Sequence, residues 1–101
     1  MSRDVKHLSK AFRALSHPNR LQLFLNLWNE SRLDLQKGRT HECFLVTLLH
    51  NMKIGAPTLS HHVRELESAG LITTSKDGKQ LTCAINPAMV QELKSLFEGT
   101  I

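Results

Sequence analysis

The apolar pattern of this chain changes period at Gly70, and that change limits what it can fold into more than any other feature. Before it, in "PTLSHHVRELESAG" (57–70), Leu59, Val63 and Leu66 recur at the spacing of an amphipathic helix. Pro57 suits the first turn of such a helix, and Gly70 suits its stop. After it, "LITTS" and "QLTCAIN" are β-prone runs separated by Lys76-Asp77-Gly78-Lys79, in which Asp-Gly signals a hairpin. Leu81, Cys83 and Ile85 would share one face of the second strand, and Thr82 and Ala84 the other.

The elements upstream extend the pattern. Val5, Leu8, Phe12 and Leu15 lie at helical spacing, so the first fifteen residues or so read as an amphipathic helix. "SHPNR" stops it, because Pro18 disfavours helix at His17 and opens a new one. That second helix carries Leu21, Phe24, Leu25, Leu27 and Trp28, apolar on more than one face, as expected near the middle of a core. The first half of "ESRLDLQKGRTHECF" extends it, and Lys37-Gly38 ends it. "FLVTLLHNM" is either a short strand running into a helix or mostly helix, and "KIGAP" is a tight turn. Asn86-Pro87 opens a last helix with Met89, Val90, Leu93, Leu96 and Phe97 as its apolar stripe. Two helices joined by a tight turn and followed by a hairpin predict a winged helix-turn-helix, mainly α with a small β wing.

The chain has 101 residues and reads as one domain, 1–101, with a core but little to spare. Thirteen Lys and Arg against nine acidic residues leave a net charge of +4, which suits a polyanion such as double-stranded DNA. No apolar run approaches the roughly 20 residues of a membrane span, and no signal peptide opens the chain. Two cysteines, Cys43 and Cys83, make no disulfide framework, so a reducing cytoplasm is the expected location. A nucleophile elbow, a Gly-rich phosphate loop and a paired carboxylate set are all missing, so an enzyme is not expected.

The histidine helix is the candidate site. With Leu59 at zero and about 100° per residue, Val63 falls near 40° and Leu66 near 340°, while His61 lies near 200° and Arg64 near 140°. Thr58 and Ser60 flank that outer face. His62, near 300°, belongs to the edge of the buried side, where an internal hydrogen bond is expected. A hydroxyl, an imidazole and a guanidinium near a helix start fit the DNA major groove, where base edges and phosphates meet the first turns. Lys76 and Lys79, on the hairpin tip, would flank the groove and hold phosphate.

"FRALSHPNRLQLFLNL", "APTLSHHVRELESAGLI" and "KDGKQLTCAIN" together resemble the ArsR-type winged-helix repressors over nearly the whole chain. The resemblance implies a homodimer, joined through the first and last helices, that leaves operator DNA when an inducer arrives. It implies Thr58, Ser60 and His61 as base-reading or phosphate residues and the segment around Lys76 to Lys79 as the wing. There are departures. Gly55 and Ala56 stand where a capping serine and a glutamine are common. His17 replaces a common aspartate, and the segment from Asn29 to Glu42 is longer than the usual link.

Both metal sites familiar in this family are missing. The paired-cysteine positions fall on Phe44 and Val46, and the last helix offers only Glu92 and Glu98. No cofactor is therefore expected. A new zinc site would draw on His41, Cys43 and His50, ligand types that zinc accepts in a tetrahedral shell. Cys43 is also the better candidate for a reactive thiol, since Cys83 alternates with Leu81 and Ile85 like a core residue. The competing reading is a winged helix used for protein interaction or non-specific DNA packing. Only a repressor would prefer one inverted repeat over random duplex.

Overall fold

A computed structural model describes residues 4–36, 42–44, 52 and 54–98, with residues 32–36, 42–44 and 77 given by their backbone alone. Helix α1 (Val5–Leu15) begins at Asp4, whose carboxylate accepts the His7 N–H at 3.1 Å. Such a cap is worth about 1 kcal/mol. Helix α2 (Pro18–Gln36) begins after His17, whose imidazole Nδ1 accepts the Asn19 N–H at 3.2 Å. The imidazole thus does what a capping carboxylate would do there. Because α2 runs on to Gln36, the long segment from Asn29 spends its first eight residues as helix.

Strand β1 (Glu42–Phe44) follows, starting two residues before the expected run at Phe44. The first helix expected of the helix-turn-helix, within 45–51, lies outside the described residues. Helix α3 (Ala56–Ser68) ends in a Schellman motif: Leu71 N–H donates to Leu66 C=O at 3.1 Å and Gly70 N–H to Glu67 C=O at 2.9 Å. Gly70 takes the left-handed φ of +78° that this motif requires.

Strands β2 (Ile72–Asp77) and β3 (Gln80–Ile85) form the hairpin, and α4 (Pro87–Glu98) closes the described chain. Asp77 pairs with Gln80, so Lys76 and Asp77 belong to the strand and the loop is Gly78-Lys79 alone. Gly78 has φ +65°, and no described non-glycine residue has positive φ. The tip is therefore a type II′ turn, with glycine at its first central position, and β2 runs two residues further than the sequence suggests, while β3 starts at Gln80 as expected.

The sheet order is β1-β3-β2, all antiparallel. The central strand β3 is paired on both edges and also covered on both faces: Thr82, Cys83, Ala84 and Ile85 are all buried. The core joins Leu23, Leu27, Leu59, Leu66, Leu71, Ile72, Ile85 and Met89. Five expected core positions, spread over three helices, differ. In α1 burial passes through Leu8, Ala11 and Ala14, leaving Val5 74% and Phe12 42% exposed. In α2, Leu21 and Leu25 stay about 40% exposed. In α4, Met89 is buried but Phe97 is 60% exposed and meets Phe12 edge to face, with centroids 6.3 Å apart. Small alanines bring α1 close to its neighbours, so its larger apolar groups fall to the side.

Candidate nucleic-acid interface

Helix α3 divides as its period predicts. Leu59, Val63 and Leu66 are buried, while Pro57, Thr58, His61 and Arg64 are exposed and Ser60 is half-buried. Its start carries a second feature. Gly55 has the extended backbone of an N-cap but no side-chain cap bond. The Ala56 and Thr58 N–H groups therefore lack that partner, and Pro57 has none to offer. Free N–H groups at a helix start attract anions.

His62 departs from expectation. It is buried, and among the described residues neither ring nitrogen finds the hydrogen-bond partner that was expected. Its ring instead packs against His17, centroids 4.7 Å apart, and lies 5.9 Å from His61. Burial first, and then the charges of His17, Arg20 and His61, pull its pKa below 6.5. Arg20 itself is held by its Nε–H, which donates to Ala14 C=O at 2.7 Å.

Lys76 and Lys79 are both exposed, Lys79 within the two-residue tip and Lys76 on strand β2 opposite Leu81. Two residues not singled out from the sequence fix the wing to α3. The Thr74 hydroxyl donates to the Glu67 carboxylate. Asn86 joins three backbone groups: its side-chain N–H donates to Gly70 C=O at 2.8 Å, its backbone N–H to Leu71 C=O at 3.0 Å, and its Oδ1 accepts from Ala88 N–H at 3.2 Å. The sequence marked Asn86 only as a helix cap, because the helix corner it also holds is distant along the chain.

Among the described residues, no group of three or more His, Cys, Asp or Glu side chains is placed to hold a metal ion. His41 and His50 lie outside the described residues, and Cys43 is described by its backbone. The two carboxylates of α4 are already engaged, Glu92 with His7 at 3.5 Å and Glu98 with Lys94 at 3.7 Å. No described helix is long and apolar enough to cross a membrane.

No family model matches the chain. It is 33% identical over 91 residues to the arsenical resistance operon repressor of Staphylococcus aureus, covering 89% of this chain and 76% of that protein. A crystal structure of an ArsR family transcriptional regulator superposes with a TM-score of 0.63 at 28% identity, covering 91% of this chain and 97% of the other. The homodimeric winged helix-turn-helix DNA-binding domain of a possible ArsR-family regulator from Mycobacterium bovis matches in fold, with a TM-score of 0.68 at 19% identity over 97% and 85% of the two chains. The sequence likeness, the fold and the exposed face of α3 agree: the chain belongs to the ArsR family of winged helix-turn-helix transcriptional regulators.

Proposed function

We propose that this protein is a homodimeric repressor that reads an inverted repeat in double-stranded DNA, acts in the cytoplasm and is released by an inducer. The observation that carries the reading is the division of α3. Its apolar residues are buried, while Thr58, His61 and Arg64 stand exposed beside an uncapped helix start. In the major groove, His61, Thr58 and Ser60 would meet base edges, with Arg64 on phosphate. Lys79, on the hairpin tip, would hold a flanking phosphate, with Lys76 assisting. The exposed Val5, Phe12 and Phe97 supply an apolar surface on the first and last helices that a second copy would cover.

The test compares binding to a selected operator with binding to random duplex at one fixed salt concentration. A repressor should prefer its operator by about 10³-fold or more. His61→Ala should erode that ratio, while Lys79→Ala should weaken both duplexes alike and reduce the salt slope by about 1. Equal affinity for all duplexes would instead support a packing module, and loss of neither term would remove α3 and the wing as the interface.

A further inference from the structure

Two glutamates of α3 show what lies on either side of its exposed face. On the wheel set by Leu59, Glu67 falls near 80° and Glu65 near 240°, with Arg64, Pro57 and His61 between them at about 140°, 160° and 200°. Glu67 is tied to the wing by the Thr74 hydroxyl. Glu65 adjoins a hollow of about 150 Å³, which it lines together with Ala69 of α3, Lys10, Arg13 and Ala14 of α1, and Arg20 of α2. Three cations from two helices therefore gather on the flank of α3 opposite the wing, against one carboxylate.

Among the described residues, ion pairs join His7 to Glu92 and Lys94 to Glu98, and none reaches these three cations. Lys10 and Arg13 are exposed. Arg20 is half-buried and oriented by its Nε–H on the Ala14 C=O, which leaves its terminal nitrogens for another partner. Arg13 stands in the last turn of α1, where the helix dipole favours a cation. That does not account for Lys10, earlier in the helix, or for Arg20 on the next one. Like charges gathered in this way repel one another, and an anion relieves them.

A helix in the major groove has a wall of phosphates on each side, since a groove about 12 Å wide receives a helix about 10–12 Å across. The wing lysines lie on one flank of α3 and can serve one wall. We propose that Lys10, Arg13 and Arg20 form a second phosphate clamp, which holds the opposite wall of the same groove when α3 enters duplex DNA. The proposal rests on the reading of α3 as the helix that meets the bases. Its ligand is a phosphodiester oxyanion, which arginine forks and a lysine point charge both suit. Held from both flanks, α3 keeps His61 and Arg64 aimed into the groove, because phosphate contacts fix register and orientation. Glu65 opposes the grip, since its carboxylate borders the same hollow.

The experiment measures the affinity of the full chain for a selected operator and for random duplex across a range of salt concentrations. Lys10→Ala and Arg13→Ala, both at exposed positions, should each lower the slope of log affinity against log salt by about 0.9. Each should weaken both duplexes alike, by about fivefold at about 0.15 M salt. Lys94→Ala removes the same unit of charge from a cation already paired with Glu98 and should leave the slope where it was. Glu65→Gln should tighten both duplexes by about twofold. In a second arm, inorganic phosphate is titrated into the free protein at constant ionic strength and followed by NMR at Arg13 and Arg20.

Unchanged slopes in both alanine variants, an equal loss in Lys94→Ala, or a loss confined to the operator would each overturn the clamp. Saturable phosphate binding with unchanged duplex slopes would overturn it too, and make the hollow a pocket for a free anion. Equal wild-type affinity for every duplex would fail the repressor reading while the slopes still scored the clamp; a protein that binds no duplex would overturn both.

Discussion

Gly55→Ser offers a direct measure of what the start of the recognition helix lacks. Gly55 sits at φ −71° and ψ 154°, an N-cap geometry that any residue can adopt. A Cβ built there meets only the Pro57 Cδ, at 3.8 Å, an ordinary contact. The new hydroxyl could accept the Thr58 N–H, the one available in the capping-box position, since Pro57 provides none. Serine over glycine at a cap contributes a few tenths of a kcal/mol, and restricting the unfolded chain adds about 0.4–1 kcal/mol. Together they predict a gain of about 1 kcal/mol.

The control is Gly55→Ala, which keeps the entropic gain but forfeits the cap. Alanine is among the poorest N-caps, so Ser should exceed Ala by about 1 kcal/mol. Urea melts with an unchanged m-value would read the difference, and Tm should differ by about 4–8 °C for a domain near this size. If the two variants melt within 0.3 kcal/mol of each other, on the order of the precision that double comparisons allow, the start of α3 is not cap-limited. A Ser variant less stable than wild type would refute the geometry itself.

Three further outcomes follow from the core and its one misfit histidine. His62 has its pKa lowered, so the unfolded chain binds its proton first: stability is full above pH 6.5 and falls as pH drops below it, and His62→Leu should flatten that slope in melts at pH 7.5 and 5.5. Leu66→Ala, at a fully buried position, should cost about 2–5 kcal/mol in urea melts. Gly70→Ala and Gly78→Ala both force alanine into positive φ, and the Gly70 Cβ would meet Met89 and His7 only at ordinary contact distances of 3.4 and 3.5 Å. Each should therefore cost about 1–2 kcal/mol, nearly equally; a much larger cost at Gly70 would show that the helix corner is tightly packed.

The parts of this molecule governed by local periodicity were legible in the sequence. Leu59, Val63 and Leu66 face inward and His61 and Arg64 outward because a helix has one period and these residues have opposite affinities for water. The parts governed by distant neighbours were not. Thr82 and Ala84 alternate with core residues and so resemble an outer face, but that face is covered as well and both residues are buried. Leu21 and Leu25 are as apolar as Leu23 and Leu27, and only the packing of the whole chain leaves them outside. His62 was placed on the buried side correctly, but the His17 ring that packs on it and the Arg20 charge that depresses its pKa come from residues more than forty positions earlier in the chain. At the wing tip Asp-Gly marked the hairpin, yet Asp77 pairs across to Gln80 and the turn begins one residue later.

That register turns the wing into a ruler with fixed graduations. Six rungs at about 3.3 Å set the tip roughly 20 Å from the base of the hairpin. Losing one residue from a single strand would slide the ladder and send the partners of Thr82 and Cys83 to the wrong side. Losing one from each strand would keep the pairing but leave the tip facing the other way. Only the removal of two whole rungs retracts Lys79, by about 6.6 Å, with its orientation preserved. The reach of Lys79 from the base of the hairpin therefore changes in steps, and shorter or longer wings are reached by counting rungs in pairs.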